Sequence, residues 1–292
     1  MGALWVNIIA QGILLGGLYA LYGTGLSLTF GVMRLVNLTH GDLIVVAAYL
    51  ALLAGQFLGL SPWLSLLLVV PALFGVGVLL QHGLLNSTLG RGVLPPIIIT
   101  FGLSVILQNV LQLGFTADTQ GLDAGPIEVA SIPVTKELSL GVMPLITFIT
   151  AVLILTGLQW LLTKTKLGRA FRATSDDPTT AELVGINSRQ IYGLAMGLSL
   201  AIVAVGGVLL GVRTTFAPTD GPARLIYAFE TVIIGGLGNL WGTLAGGIIL
   251  GVAQNVGAQL NPAWFQLAGH LVTLGLLAFR PTGLLARTRD VG

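Results

Sequence analysis

The chain has 292 residues, of which 54% are hydrophobic and only 8% are charged, with a net charge of +2. Soluble domains carry about 25% charged residues, so this composition excludes an ordinary soluble protein and indicates a polytopic membrane protein. The absence of cysteine excludes disulfides, thiol chemistry and cysteine-based metal sites. So small a net charge gives no indication of nucleic-acid binding, and the basic residues are predicted to lie in loops.

Apolar segments of helical length follow one another along the whole chain. Crossing about 30 Å of hydrocarbon requires roughly 20 residues of helix, and several segments approach or exceed that length. The predicted fold class is therefore all-α, a polytopic membrane helix bundle of about 8–9 spans that forms a single domain over residues 1–292. The segments are 6–30, 38–57, 62–84, 94–115, 141–163, 190–212, 226–238, 241–259 and 263–280.

A cluster of polar residues opens the second segment, in the stretch NLTHGD. Ionisable residues at membrane depth usually face a bundle interior or a cavity, which makes the cluster a candidate for lining a substrate path. Asp42 has an alternative role, because an early helix residue can satisfy free N–H groups and the positive end of the helix dipole. His40 alone is typical of a hydrogen-bonded structural histidine. The members of the cluster are Asn37, Thr39, His40, Gly41 and Asp42.

The distribution of Lys and Arg predicts the orientation, because cytoplasmic loops are enriched in them. With the N-terminus outside and the C-terminus cytoplasmic, ten of the thirteen basic residues fall inside. Those ten are Arg34, Arg91, Lys164, Lys166, Arg169, Arg172, Arg189, Arg280, Arg287 and Arg289. Lys136, Arg213 and Arg224 are predicted to face outward.

Glycine, with 41 residues, recurs at a spacing of four. In lipid, small residues at this spacing let helix backbones approach closely. A tightly packed bundle is therefore predicted, with packing as the preferred role of these glycines. The pairs are Gly12 and Gly16, Gly207 and Gly211, Gly242 and Gly246, and Gly247 and Gly251.

The segment 226–238 is too short for an ordinary span and runs into the glycine-rich stretch GGLGN, residues 235–239. A basic tail on the same side as the loop 164–189 requires this segment to cross as a short broken or re-entrant element. Non-helical backbone at that depth is tolerated only inside protein or beside a watery cavity, and transporters place broken helices at substrate sites. Path candidates here, facing the first polar cluster, are Glu230, Gly235, Gly236 and Asn239.

The most polar connection, residues 164–189, is predicted to be an ordered cytoplasmic loop. One of the two aspartates before Pro178 can cap a short helix, and Gly185 suits the left-handed residue that ends it. Ser188 is a candidate cap for the following span. Ordered loops of this length are often functional, which favours a docking element, and the alternative is a solvated basic loop.

Familiar catalytic motifs are absent. No glycine is followed by lysine, so there is no Walker phosphate loop, and neither H-E-x-x-H nor G-x-S-x-G occurs. The three histidines, His40, His82 and His270, lie far apart in sequence. We therefore expect no enzymatic activity, no metal site and no cofactor in this chain.

Three stretches together resemble the LivH-type permeases of branched-chain amino acid ABC importers. They are GGLYALYGTGLSLTFGVMRLVNLTHGDLIVVAAYLA, LGRAFRATSDDPTTAELVGIN and VIIGGLGNLWGTLAGGIILG. The resemblance covers nearly the whole chain, in the same order. One departure is Thr39, where alanine is common in the family, so the implied solute is a branched-chain amino acid or a related small polar compound such as urea or an amide.

This resemblance implies a permease subunit in the bacterial inner membrane, in contact with lipid and not with nucleic acid. The implied partners are a second, LivM-like permease, two cytoplasmic ATPase subunits that bind ATP and Mg, and a periplasmic substrate-binding protein. In such importers the permease offers a helix–glycine element to the ATPase. The matching positions are Ala181, Glu182, Gly185, Ile186 and Asn187, although a leucine follows Glu182 where the family form has alanine.

A proton-coupled secondary transporter or channel is the alternative function. In that mechanism Glu230 or His40 would carry the proton, and no ATPase would take part. A membrane scaffold that only binds other proteins is a third hypothesis.

Overall fold

The computed structural model describes residues 2–92, 94–135 and 139–285. Its helices are α1 (Gly2–Met33), α2 (His40–Leu58), α3 (Pro62–Gly83), α4 (Leu94–Phe115), α5 (Val142–Lys164), α6 (Lys166–Asp176), α7 (Pro178–Leu183), α8 (Ser188–Arg213), α9 (Gly221–Gly235), α10 (Leu240–Leu260) and α11 (Trp264–Phe279). Strands β1 (Ser131–Pro133) and β2 (Ser139–Gly141) form one small antiparallel hairpin. The all-α prediction is confirmed. Lys136, Arg287 and Arg289 lie outside the described residues.

Within the described residues, seven helices are long and apolar enough to cross a membrane, namely α1 to α5, α8 and α10. Helices α9 and α11 are shorter, with 15 and 16 residues. Counting both gives the nine segments that were predicted. The seventh segment differs most from its prediction, because α9 begins at Gly221 and ends at Gly235.

Local sequence signals explain several helix ends. Gly59, with a φ of 64°, ends α2 in the left-handed conformation that glycine adopts without strain. Ser61 then accepts the N–H of Leu64, and Pro62 occupies the first turn of α3. These signals place α2 and α3 side by side as neighbours joined by a short turn.

Helix α1 packs against α10 through glycines that bring the two backbones into contact. A Cβ on Gly16 would lie 2.5 Å from the Cα of Ile248, and one on Gly12 would lie 2.6 Å from the Cα of Val252. From the other side, a Cβ on Gly251 would lie 2.4 Å from the carbonyl oxygen of Gly12. The packing role predicted for these glycines is therefore confirmed.

Helix α8 is buried between α1, α2 and α3. Gly207 lies against α2, where an added Cβ would sit 2.2 Å from the carbonyl oxygen of Ile44. Ser199 donates a hydrogen bond of 2.7 Å to the carbonyl of Gly25 in α1. The outer helices α3, α4, α5 and α11 instead expose large apolar side chains, including Leu67, Leu113, Leu153 and Leu274. Such outer faces suit contact with lipid or another membrane subunit.

The substitution Gly16→Ala should destabilise the bundle by about 1–3 kcal/mol, because the new methyl group forces α1 and α10 apart. Thermal unfolding of the detergent-purified chain, followed by tryptophan fluorescence, measures the effect. Gly157→Ala in α5 is the matched control, since nothing lies within 4 Å of its added Cβ and alanine favours helix. Equal midpoints for the two variants would contradict the proposed importance of the α1–α10 contact.

Candidate functional site

In the first polar cluster, Asn37 and Thr39 are buried and are hydrogen-bonded to each other. The side-chain oxygen of Asn37 accepts both the backbone N–H and the hydroxyl of Thr39, at 3.0 and 2.5 Å. Thr39 stands at the N-cap position of α2, yet its side chain makes no capping bond. Its hydroxyl therefore holds the connection before α2 in shape.

His40 ties the start of α2 to the middle of α1. Its Nε2 donates to the carbonyl oxygen of Tyr22 at 2.8 Å, and its ring also faces Gly25. Helix α1 continues to Met33, eight residues beyond Gly25, which corresponds to about 12 Å at 1.5 Å per residue. Helix α2 thus begins inside the bundle, well before the end of α1.

The starts of α2 and α9 meet at Gly41 and Gly221. A Cβ on Gly41 would lie 2.0 Å from the carbonyl oxygen of Gly221, and a Cβ on Gly221 would lie 2.0 Å from Oδ1 of Asp42. Asp42 is 1% exposed, and it also accepts a hydrogen bond of 2.9 Å from Gln108. A carboxylate beside two helix N-termini balances the positive ends of both dipoles, which is the geometry expected of its alternative role.

Glu230 in α9 is buried, as expected of a carboxylate that faces the interior of a membrane helix bundle. Its Oε1 lies 2.5 Å from Nδ1 of His270 in α11, whereas its Oε2 is buried with no hydrogen-bond partner among the residues described. His270 was not predicted as the partner of Glu230. The available signal was a histidine inside an apolar span, where ionisable side chains usually pair with one another.

The second break, Gly236–Asn239, forms a turn between α9 and α10. Gly236 and Gly238 have positive φ angles of 101° and 76°, which favour glycine. The side-chain oxygen of Asn239 caps α10 by accepting the N–H of Gly242 at 2.9 Å, and a Cβ on Gly235 would lie 2.1 Å from the carbonyl oxygen of Gly242. These contacts give Asn239 and Gly235 structural roles in the turn.

The two breaks occupy different surroundings. The first break lies against the start of α9. In the second break, a Cβ added to Gly238 would lie 3.3 Å from the Cα of Gly31, near the end of α1. The second break borders a cavity of about 340 Å³, whose polar lining includes Ser27, Arg34, Gln159 and Arg172. Whether either break lines a path stays a prediction.

Arg213 and Arg224 were predicted to lie in loops, and this is wrong, whereas the outward side of the membrane assigned to them stays a prediction. Arg213 is the last residue of α8, and Arg224 lies in α9, where it forms an ion pair of 3.0 Å with Asp220. Both interact electrostatically with Tyr22 in the middle of α1. Hydropathy averaged along the sequence assigns charged residues to loops, because it contains no information about the side chains with which they pair in the fold. The available signal was that these two arginines are exceptions to the predicted enrichment of basic residues on the cytoplasmic side.

The predicted cytoplasmic loop is ordered, and its local geometry is confirmed. Asp177 caps α7 by accepting the N–H groups of Thr179 and Thr180 at 2.9 and 3.2 Å. The hydroxyl of Thr180 also donates to Asp177 and, with these N–H groups, holds the pKa of the carboxyl below its ordinary value. This contribution to helix stability is present above the ordinary pKa and is lost as the pH falls through the lowered pKa.

A glycine ends α7 as predicted. Gly185 has a φ of 86°, and the N–H groups of Gly185 and Ile186 donate to the carbonyls of Glu182 and Ala181 at 3.0 Å each. This pair of bonds is a Schellman motif. The cap of α8 was wrongly assigned to Ser188, because Asn187 accepts the N–H of Gln190 and Ser188 is already helical.

The short helix presents an apolar surface. Leu183 and Val184 are 83% and 72% exposed, whereas Ala181 is buried. The loop is also fastened to the bundle, since Ser175 donates to the carbonyl of Gly31 at 2.6 Å and Arg172 donates to the carbonyl of Leu162. Among the described residues no group of three or more His, Cys, Asp or Glu could hold a metal ion.

Comparison with known proteins identifies a common family. The model of the branched-chain amino acid transport system / permease component family matches residues 8–278. The chain is 30% identical to BraD of Pseudomonas aeruginosa, a permease protein of a high-affinity branched-chain amino acid transport system, over 97% of this chain and 96% of BraD. It is 28% identical to LivH of Salmonella typhimurium, over 95% and 94%, and 26% identical to LivM of Escherichia coli, over 93% and 68%. No solved structure matches significantly. The chain therefore belongs to the family of permease components of branched-chain amino acid transport systems.

Proposed function

We propose that this chain is the membrane-spanning permease subunit of an ATP-driven importer for branched-chain amino acids or related small polar compounds. The family match over residues 8–278 carries this proposal, and the seven long apolar helices are consistent with it. ATP and Mg would be bound by partner subunits, and the solute would cross by alternating access. The proposed partners are a second, LivM-like permease, two cytoplasmic ATPases and a periplasmic substrate-binding protein.

The loop of α6 and α7 is the proposed docking surface for an ATPase. Exposed apolar side chains on a polar connection are typical of an interaction site, and Leu183 and Val184 meet this description. The bond from Ser175 to Gly31 links the loop to the end of α1. A movement of the docked ATPase would therefore reach α1 through a direct contact.

Proton-coupled transport is the less supported mechanism. Every relative reported above is a permease of a branched-chain amino acid transport system. His40 is also engaged with the carbonyl of Tyr22. Uptake that collapses with a protonophore yet survives ATP depletion would overturn the importer proposal in favour of the alternative.

Replacing both Leu183 and Val184 by Asp should weaken ATPase docking at least about tenfold. Burying each apolar side chain is worth about 1.5–3 kcal/mol, and 1.4 kcal/mol corresponds to a factor of ten in affinity. The measurement is recovery of the ATPase subunits with the tagged permease in mild detergent, together with ATP-dependent uptake. Val129→Asp is the control, because Val129 is 86% exposed but lies in the connection between α4 and α5. Undiminished recovery in the double variant would rule out this docking surface.

The proposed orientation, with the N-terminus outside, can be read with single cysteines, since the chain has none of its own. Thr119→Cys places a thiol in the connection after α4, and Thr179→Cys places one in α7. We expect a membrane-impermeant maleimide to label the first in intact cells and the second only after permeabilisation. The reverse labelling pattern would show that the proposed orientation is inverted.

A further inference from the structure

We propose that Arg213, Arg224 and Tyr22 form a binding site for the carboxylate group of the transported solute. The site lies where the middle of α1, the end of α8 and the start of α9 come together. The description of the ligand as a transported amino acid rests on the proposed function. The site itself rests on three buried hydrogen-bond donors.

The three side chains converge although they come from three different helices. Tyr19 and Tyr22 belong to the middle of the 32-residue helix α1. The ring of Tyr22 lies against α8, where a Cβ on Gly206 would sit 3.3 Å from it. The ring centre of Tyr19 lies 5.2 Å from that of Tyr227, one turn after Arg224 in α9, so both tyrosines lie within electrostatic reach of the two arginines. Tyr22 is fully buried. The cluster is not wholly enclosed, because the side chain of Arg224 is 21% exposed.

Each of the three side chains has a buried donor without an acceptor. Nη1 of Arg213, Nε of Arg224 and the hydroxyl of Tyr22 have no hydrogen-bond partner among the described residues. A buried donor left unpaired costs about 1–3 kcal/mol. Because arginine N–H groups only donate, the group that would satisfy them is an acceptor.

The charge of the cluster favours an anion. Two arginines and Asp220 leave one positive charge, since Asp220 balances only one of the arginines. A carboxylate supplies one negative charge and two acceptor oxygens, and its hydrogen bonds to arginine are among the strong ones in proteins.

Structural roles account for only part of this arrangement. A basic residue in the last turn of a helix interacts favourably with its dipole, which applies to Arg213. An ion pair at i and i+4 stabilises a helix start, which applies to Asp220 and Arg224. Neither role provides an acceptor for the three unpaired donors, and a membrane arginine that lacks a partner is costly.

Binding can be tested on the detergent-purified complex of this chain with its partner permease and ATPases, without the substrate-binding protein. Leucine and 4-methylpentanoate share the carboxylate and should raise the thermal midpoint, whereas leucinamide, which lacks it, should not. The rise should vanish in Arg213→Gln and Arg224→Gln and persist in Arg91→Gln, whose arginine is exposed in the connection before α4. An equal rise with leucinamide, or a rise retained in both site variants, overturns the proposal.

Tyr22→Phe separates binding from folding. The hydroxyl has no hydrogen-bond partner among the described residues, so its removal should leave the yield of the folded complex unchanged. We expect uptake of radiolabelled leucine into proteoliposomes, with the substrate-binding protein present, to fall about tenfold, the effect of one hydrogen bond to a charged group. Unchanged uptake in Tyr22→Phe overturns the role of this hydroxyl. Absence of leucine uptake in the wild-type complex would instead contradict a branched-chain amino acid as the solute in the proposed function, and the thermal measurement would still decide the site.

Discussion

Backbone contact between α1 and α10 sets the position of the helices that carry the buried charges. Apolar side chains gain little from one another in lipid, so close backbone approach at glycine becomes a main source of attraction. Close backbone approach at glycine also joins α10 to α9, where a Cβ on Gly246 would lie 2.1 Å from the carbonyl oxygen of Thr231. Helix α9 is thereby held against both helices, and Glu230, the residue before Thr231, is carried into the interior with it.

Holding α9 in this way brings its first residue against the start of α2 inside the bundle. Two helix N-termini at one place concentrate positive dipole charge where no bulk water can screen it. The carboxylate of Asp42, in contact with Gly221, offsets that charge, and Gln108 fixes its orientation. A glycine is required at both starts because any side chain there would separate the helices. The polar stretch NLTHGD therefore follows from burying a helix start at depth.

Local signals in the sequence sufficed for much of the fold. Apolar length identified the spans, the glycine-rich stretch after α9 identified the broken element, and the Asp-Pro and Gly185 signals identified α7, because each depends on residues within one turn. The pairs Glu230 with His270 and Asp42 with Gly221 could not be predicted, since they join distant parts of the chain. Arg213 and Arg224 were misplaced in loops because the hydropathy of neighbouring residues does not show that a helix extends through a charged residue.

Helix α1 connects the two regions to which a function is assigned. Its end receives the hydrogen bond from Ser175 of the proposed docking loop, and its middle carries Tyr22 of the proposed carboxylate site. His40 adds a third contact, to the carbonyl of Tyr22 itself. If a movement of the loop shifts α1, the distance from Tyr22 to the two arginines should change. The same shift should disturb the start of α2. Under the proposed function, this shared helix is a direct physical route by which ATP hydrolysis in a partner subunit can alter solute affinity.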